Sequence, residues 1–203
     1  MSETGYVKYR CDHVVAEATR FPGFESLNEV RSALHEQGLI GMYRNGIGFG
    51  NVSIRALGSK GFHISGTMTG ESPVLDPTHY TKVAAVEFDQ NWLRCEGPIQ
   101  ASSESMTHAS IYHQDTETCA ALHVHHLELW KRLLHRIPTT RQEVEYGTPE
   151  MAAEVARLFR ETNVRQQRIF AMAGHEEGIF AFGASPEQAY RVLMDTLLIV
   201  SRD

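Results

Sequence analysis

Residues 102–126 open with Ser102-Ser103-Glu104-Ser105-Met106-Thr107-His108 and close with Ala120-Ala121-Leu122-His123-Val124-His125-His126, and their reading decides the fold. The run from Ala120 to His125 is apolar apart from its histidines, with Glu117-Thr118 before it and a charged helical pattern after it, which predicts a short buried strand. Side chains alternate between the faces of a strand, so His123 and His125 point one way while Val124 and His126 point the other. Two imidazoles on one strand face make a two-point clamp for zinc or a related divalent ion. The competing reading is a pair of packed structural histidines. Their spacing at the end of an apolar strand, with a third histidine downstream at His175, favours the clamp.

Upstream, Ser102-Ser103 predicts the start of a helix over 102–114, which places Glu104 and His108, four apart, on one helix face. Nineteen positions separate Glu104 from His123, room for a helix, a turn and the strand, so the carboxylate can return to the histidine clamp. Metal-assisted proton transfer needs that combination. Taken alone, Glu104 reads first as a first-turn helix acid that favours the helix dipole.

The remaining composition bounds the answer. With 203 residues and 42% hydrophobic residues the chain is expected to be one domain, 1–203, with residues 1–25 as a loosely structured lead-in or short helix. A net charge of −6 argues against nucleic acid or an anionic membrane as partner. No apolar run is long enough for a membrane span and the start lacks a signal-peptide core, so a cytoplasmic protein is expected. Cys11, Cys95 and Cys119 are odd in number and widely spaced, which predicts reduced, mostly packed thiols.

Along the chain, Ser26 and Glu29 form a capping-box pattern before a helix with Leu27, Val30, Ala33 and Leu34 at helical spacing, stopped by Gly38. A glycine-rich segment, Arg44-Asn45-Gly46-Ile47-Gly48-Phe49-Gly50-Asn51-Val52-Ser53-Ile54-Arg55, then leads into a strand; it reads as a hairpin or as backbone that lets a ligand approach. Strands are expected at Phe62–Ser65, Val83–Phe88 and Trp92–Cys95, and a helix at Leu127–Leu134 in which Trp130 is core. Thr148 caps a helix with Pro149 in its first turn, and Met151, Val155, Leu158 and Phe159 face inward. Two apolar strands, around Ile169–Met172 and Ile179–Phe182, flank the turn Gly174-His175-Glu176-Glu177-Gly178, and Ser185-Pro186-Glu187-Gln188 opens the last helix.

The ordered set Gly50-Asn51-Val52-Ser53, Ser102-Ser103-Glu104, His123-Val124-His125 and His175 resembles the class II aldolase/adducin family. The resemblance, spanning about 27–200, implies a three-layer α/β/α domain with a mainly antiparallel central sheet, assembled as a homotetramer. It further implies a metal site of His123, His125 and His175 holding Zn2+, or another divalent ion such as Mn2+, Fe2+ or Co2+. Glu104 takes the catalytic place, and a sugar or sugar-phosphate substrate is held by Gly50, Asn51, Thr69, Gly70, Ser102 and Ser103. The family's chemistry is retro-aldol cleavage of a ketose 1-phosphate through a metal-stabilised enediolate; epimerisation, dehydration and decarboxylation share that chemistry, and adducin heads use the fold without catalysis. His108 and Tyr146 are read as outer partners of the site.

Three departures accompany the resemblance. The turn Ser65-Gly66-Thr67-Met68-Thr69-Gly70 is about two residues longer than the family's, so Thr67 competes with Thr69 for the anion-holding place. Glu176, with Glu177 beside it, replaces the glycine that follows the family's third histidine, which alters the turn or adds a carboxylate near the metal. The sequence ends three residues after Val200 with Tyr190 inside the last helix, so the family's tail tyrosine is expected to be missing or supplied from elsewhere.

Overall fold

In chain order, the described residues of this computed structural model, 7–58 and 60–200, form β1 (Arg10–Val15), α1 (Phe24–Glu36), β2 (Gly41–Met42), β3 (Gly48–Phe49), β4 (Asn51–Arg55), β5 (Phe62–Ser65), β6 (Tyr80–Glu87) and β7 (Trp92–Gly97). Then follow α2 (Ser105–Gln114), β8 (Ala120–His125), α3 (Leu127–Leu133), α4 (Pro149–Glu161), α5 (Val164–Gln167), β9 (Ile169–Ala171), β10 (Gly178–Gly183) and α6 (Pro186–Val200). One eight-stranded sheet runs in the order β1-β7-β6-β5-β4-β8-β10-β9, and β2 and β3 pair as a separate hairpin. Only the β1–β7 pairing in the large sheet is parallel; every other neighbour is antiparallel.

The alternation of side chains divides the core into two layers. On one face Val52, Leu122, Val124, Ile179 and Ala181 pack with Leu27, Val30 and Leu34 of α1, Leu129 of α3 and Leu193 of α6. On the other, Ala121, Phe180 and Phe182 pack with Met106, Ile111 and Tyr112 of α2 and Met151, Val155 and Leu158 of α4. The result is helix, sheet, helix, with the central strand β8 buried at all six positions. Among the described residues no helix is long and apolar enough to cross a membrane.

Three expectations are corrected. The lead-in is ordered from Arg10 to Val15 as an edge strand; Cys11 packs on the core while Val14 and Val15 stay exposed, so the strand carries no regular apolar alternation to announce it. Its first six positions, like the final three of the chain, lie outside the described residues. Helix α1 begins at Phe24 behind Gly23, and the Ser26 hydroxyl donates to Glu187 of α6 instead of capping its own helix. Helix α2 begins at Ser105, so Glu104 sits at its N-cap rather than inside its first turn. Thr148 does cap α4, accepting from the Met151 amide at 3.3 Å. The three cysteines are unpaired thiols, with Cys11 and Cys95 sulfurs 3.3 Å apart across β1 and β7.

Candidate active site

Strand β8 sends His123 and His125 to the α2/α4 side of the sheet, at the end where it pairs with the start of β10. The turn between β9 and β10 brings His175 to the same place: the nitrogens of His123, His125 and His175 lie within 4.8 Å of one another, and all three residues are buried. His123 Nδ1 lies 3.3 Å from the Ile179 carbonyl. A carbonyl only accepts, so Nδ1 carries the His123 proton and Nε2 keeps its lone pair. That lone pair faces His125 Nε2 at 3.1 Å. Burial, reinforced by the neighbouring His125 and His175, pushes His123 well below the ordinary histidine range, so it is a neutral imidazole. Three converging imidazole nitrogens fit a divalent cation, and these residues could hold one.

Glu104 is almost wholly buried, at 2% exposure, beside this cluster. Its Oε2 accepts from the Thr107 hydroxyl at 2.8 Å, and its Oε1 is 3.7 Å from His175 Nε2. Tyr146 covers His175 with ring centroids 4.2 Å apart, and Lys8 Nζ stands 3.8 Å over the tyrosine ring. His108 does not serve as the expected partner of the Glu104 carboxylate. Both of its ring nitrogens are engaged elsewhere, Nδ1 with Ser53 Oγ at 2.6 Å and Nε2 with Asn51 Oδ1 at 2.6 Å.

The histidines and Glu104 line a cavity of about 250 Å³, and the rest of its lining is largely backbone and hydroxyls. Gly48, Gly50, Asn51, Gly66, Thr67, Thr69, Gly70, Ser102 and Ser103 line it, and no lysine or arginine is among the described lining residues. Gly50 has φ +73°, and a Cβ there would stand 2.7 Å from Ile40 and 3.0 Å from the His123 carbonyl oxygen. At Gly70 a Cβ would collide with the Gly41 carbonyl oxygen, so the 66–70 loop presses directly on the β2–β3 hairpin. Within that loop the Thr69 hydroxyl donates to the Gly66 carbonyl at 3.0 Å, and the Thr67 amide donates to Gln100. Thr69 and Gly70 thus line the cavity while their contacts also shape the loop. Arg31 of α1, fully buried, holds the same loop by donating to the carbonyls of Thr69, Ser72 and Pro73.

One participant escaped the sequence reading, and a second, Glu177, takes the near-cluster carboxylate place that the sequence left as one of two alternatives. Tyr43, in the turn after β2, bonds His125 Nδ1 at 2.9 Å and Glu177, and it lines the cavity with Phe49. Glu177 accepts from Tyr43, and its near carboxylate oxygen is 3.8 Å from His125 Nδ1. His125 together with Tyr43 holds the Glu177 carboxyl below its ordinary range, so it is a carboxylate. The departure after His175 therefore adds a charge behind the histidine cluster. Tyr43 had no motif to announce it, since its role comes from the β2–β3 hairpin folding over β8.

The sequence from residue 29 to 196 matches the family described as Class II Aldolase and Adducin N-terminal domain. Similar solved structures include L-fuculose-1-phosphate aldolase from Thermus thermophilus, at 23% identity over 88% of this chain and 93% of that one, with a TM-score of 0.61. A sugar-phosphate aldolase from Thermotoga maritima aligns at 17% identity over 87% and 92% of the two chains, TM-score 0.63. YgbL from Klebsiella pneumoniae, described as an aldolase/epimerase/decarboxylase candidate, aligns at 17% identity over 88% and 86%, TM-score 0.65. At these identities the likeness carries the fold. No curated protein sequence matches the chain significantly.

Proposed function

Since the chain belongs to the class II aldolase and adducin N-terminal domain family, we propose that it is a metal-dependent lyase of the aldolase type, cleaving a sugar, foremost a ketose 1-phosphate, in the retro-aldol direction. The observation that carries this reading is the meeting of three imidazoles with a buried carboxylate, Glu104 Oε1 lying 3.7 Å from His175 Nε2 at the wall of one cavity. His123, His125 and His175 hold the ion, zinc first and manganese, iron or cobalt as the other candidates. A divalent ion supplies Lewis-acid stabilisation for the negative charge that develops on a substrate carbonyl oxygen as the C–C bond breaks.

The chain's own residues do the rest. The cavity's glycine and hydroxyl end, with Gly50, Asn51, Thr69, Gly70, Ser102 and Ser103, binds the far end of the substrate through backbone and side-chain donors. Glu104 delivers a proton to the carbon left electron-rich by cleavage, and removes it in the reverse reaction. Its burial keeps water from competing for that proton. Tyr146, stacked on His175, closes the wall next to it. The tail-tyrosine place is not filled by Tyr190, whose hydroxyl is 2.6 Å from Gln37 Nε2 on the far, α1 side. Assembly as a homotetramer is part of the same proposal, and light scattering in solution reports on it.

The test has two parts. Elemental analysis of protein purified without chelator is expected to find about one divalent ion per chain, consistent with a single three-histidine site. Glu104→Gln is expected to keep that ion while losing exchange of the substrate C–H proton with solvent deuterium. Retained exchange in the variant removes Glu104 from its role. A chain that takes up no divalent ion, even when one is supplied, leaves the non-catalytic assembly reading in its place.

A further inference from the structure

Beneath Asn51 runs a chain of buried polar groups that the proposed reaction does not use. Tyr112 Oη lies 2.7 Å from Ser53 Oγ, Ser53 Oγ lies 2.6 Å from His108 Nδ1, and His108 Nε2 lies 2.6 Å from Asn51 Oδ1. Ser53 and His108 are fully buried and Tyr112 nearly so, and Phe180 packs edge-on against the imidazole at 5.0 Å. Burial pushes His108 down to about 3, so the ring is neutral and holds one proton: one nitrogen donates and the other accepts. At the upper end Asn51 lines the cavity, and its Nδ2 has no hydrogen-bond partner among the described residues.

The order of donors follows from the chemistry of the groups. A phenol is a stronger hydrogen-bond donor than an aliphatic alcohol, so the Tyr112 hydroxyl donates to Ser53 Oγ. The serine proton then goes to His108 Nδ1, which fixes the imidazole proton on Nε2, and Nε2–H donates to Asn51 Oδ1. With its carbonyl end held, the amide turns its NH2 into the cavity. We infer that Tyr112, Ser53 and His108 form a positioning relay that fixes Asn51 as a donor, so that this end of the cavity selects a substrate group that only accepts hydrogen bonds, a phosphate or carboxylate. A substrate end bearing donors, such as an ammonium, meets the amide with the wrong polarity. The relay explains how a cavity whose described lining holds no lysine or arginine favours an anion: a fixed NH2 group adds to the donors of the glycine loop. This rests on the proposed reading that the cavity binds a sugar phosphate, and it adds the buried residues that orient Asn51, the cross-strand neighbour of His123.

The relay predicts a tautomer and an affinity pattern. In 15N-histidine-labelled, metal-loaded protein, the His108 signals are expected to show a protonated Nε2 and an unprotonated, hydrogen-bonded Nδ1. Inorganic phosphate, titrated while following the Asn51 side-chain NH2 resonances, is expected to shift them in the wild type. His108→Leu frees the amide and is expected to weaken phosphate binding about tenfold, the loss of one charge-assisted hydrogen bond. His108→Gln, whose amide nitrogen can replace Nε2 as the donor to Asn51, is expected to recover most of it. A His108 proton on Nδ1 overturns the relay, as does equal phosphate affinity in all three proteins. Phosphate that leaves the Asn51 resonances unmoved in the wild type overturns the anion selection. Metal content and Glu104-dependent proton exchange on the same samples then tell whether the aldolase reading stands without it.

Discussion

The two ends of the cavity are built from different materials. The histidine end is made of side chains: His123 and His125 from one central strand, His175 from a turn pinned by β9 and β10, and Glu104 from a helix N-terminus. The opposite end is made of backbone held in shape, with Gly50 at positive φ, Gly70 against Gly41, and a buried Arg31 gripping three carbonyls of the following loop. A site made of side chains loses function when one side chain is cut. A site made of backbone loses stability and function together, because its geometry is the fold.

That contrast can be broken or sharpened by experiment. The largest effect belongs to the histidine end: His125→Ala is expected to empty the metal site, read by elemental analysis, while the thermal transition of the metal-free protein moves little. A variant that keeps its full complement of metal removes His125 from the ligand set. Next comes Gly50→Ala, which meets both an unfavourable φ and contact with Ile40 and the His123 carbonyl; it is expected to cost about 3 kcal/mol in denaturant unfolding. A neutral result there would mean that the glycine loop yields, and the distinction between the two ends would fail. Arg31→Met keeps much of the packing but leaves three carbonyls without their donor, at an expected cost of about 2 kcal/mol. It should also broaden the amide resonances of 69–73, whereas those around His175 stay sharp. The smallest change in stability is expected for Tyr43→Phe, which removes the hydroxyl that joins His125 to Glu177. Its mark is a metal affinity lowered about tenfold with phosphate affinity unchanged. Equal losses at both ends would show Tyr43 to be a strut of the fold instead.

The same contrast governs what could be read from the sequence. Spacing in a strand is rigid, so His123-Val124-His125 announced both the strand and two imidazoles on one of its faces, and β8 occupies the expected span. Thr148 and Pro149 likewise marked the start of α4, since a cap and a first-turn proline act locally. The polar end was harder. Gly50 and Asn51 stood out only through the family pattern, and the longer turn after Ser65 left Thr67 and Thr69 in competition. Arg31 sits among the apolar residues of α1 and was silent, because a charged residue in a helix normally faces water and its carbonyl partners are about forty positions away in sequence. His108 was assigned by helical spacing to Glu104, but that spacing presumed a helix from Ser102. With α2 beginning at Ser105 and packing flat on the sheet, the ring turns to Ser53 and Asn51 instead. Strand β1 was invisible because its two valines are adjacent and exposed and its one core contact is a cysteine, so no apolar alternation marks it.

Strand position also sets how often each part of the molecule opens. β8 has a hydrogen-bonded neighbour on each side and no exposed residue, so its amides exchange with solvent only through the opening events that unfold the domain. β1 is bonded on one side and largely exposed, and can detach at far smaller free energy. Two of the three imidazoles therefore ride on a strand that pairing on both sides and full burial make slow to open. If the three histidines hold an ion, as proposed, its release is expected to follow local motion of the His175 turn, with fraying at the sheet's edge leaving it undisturbed.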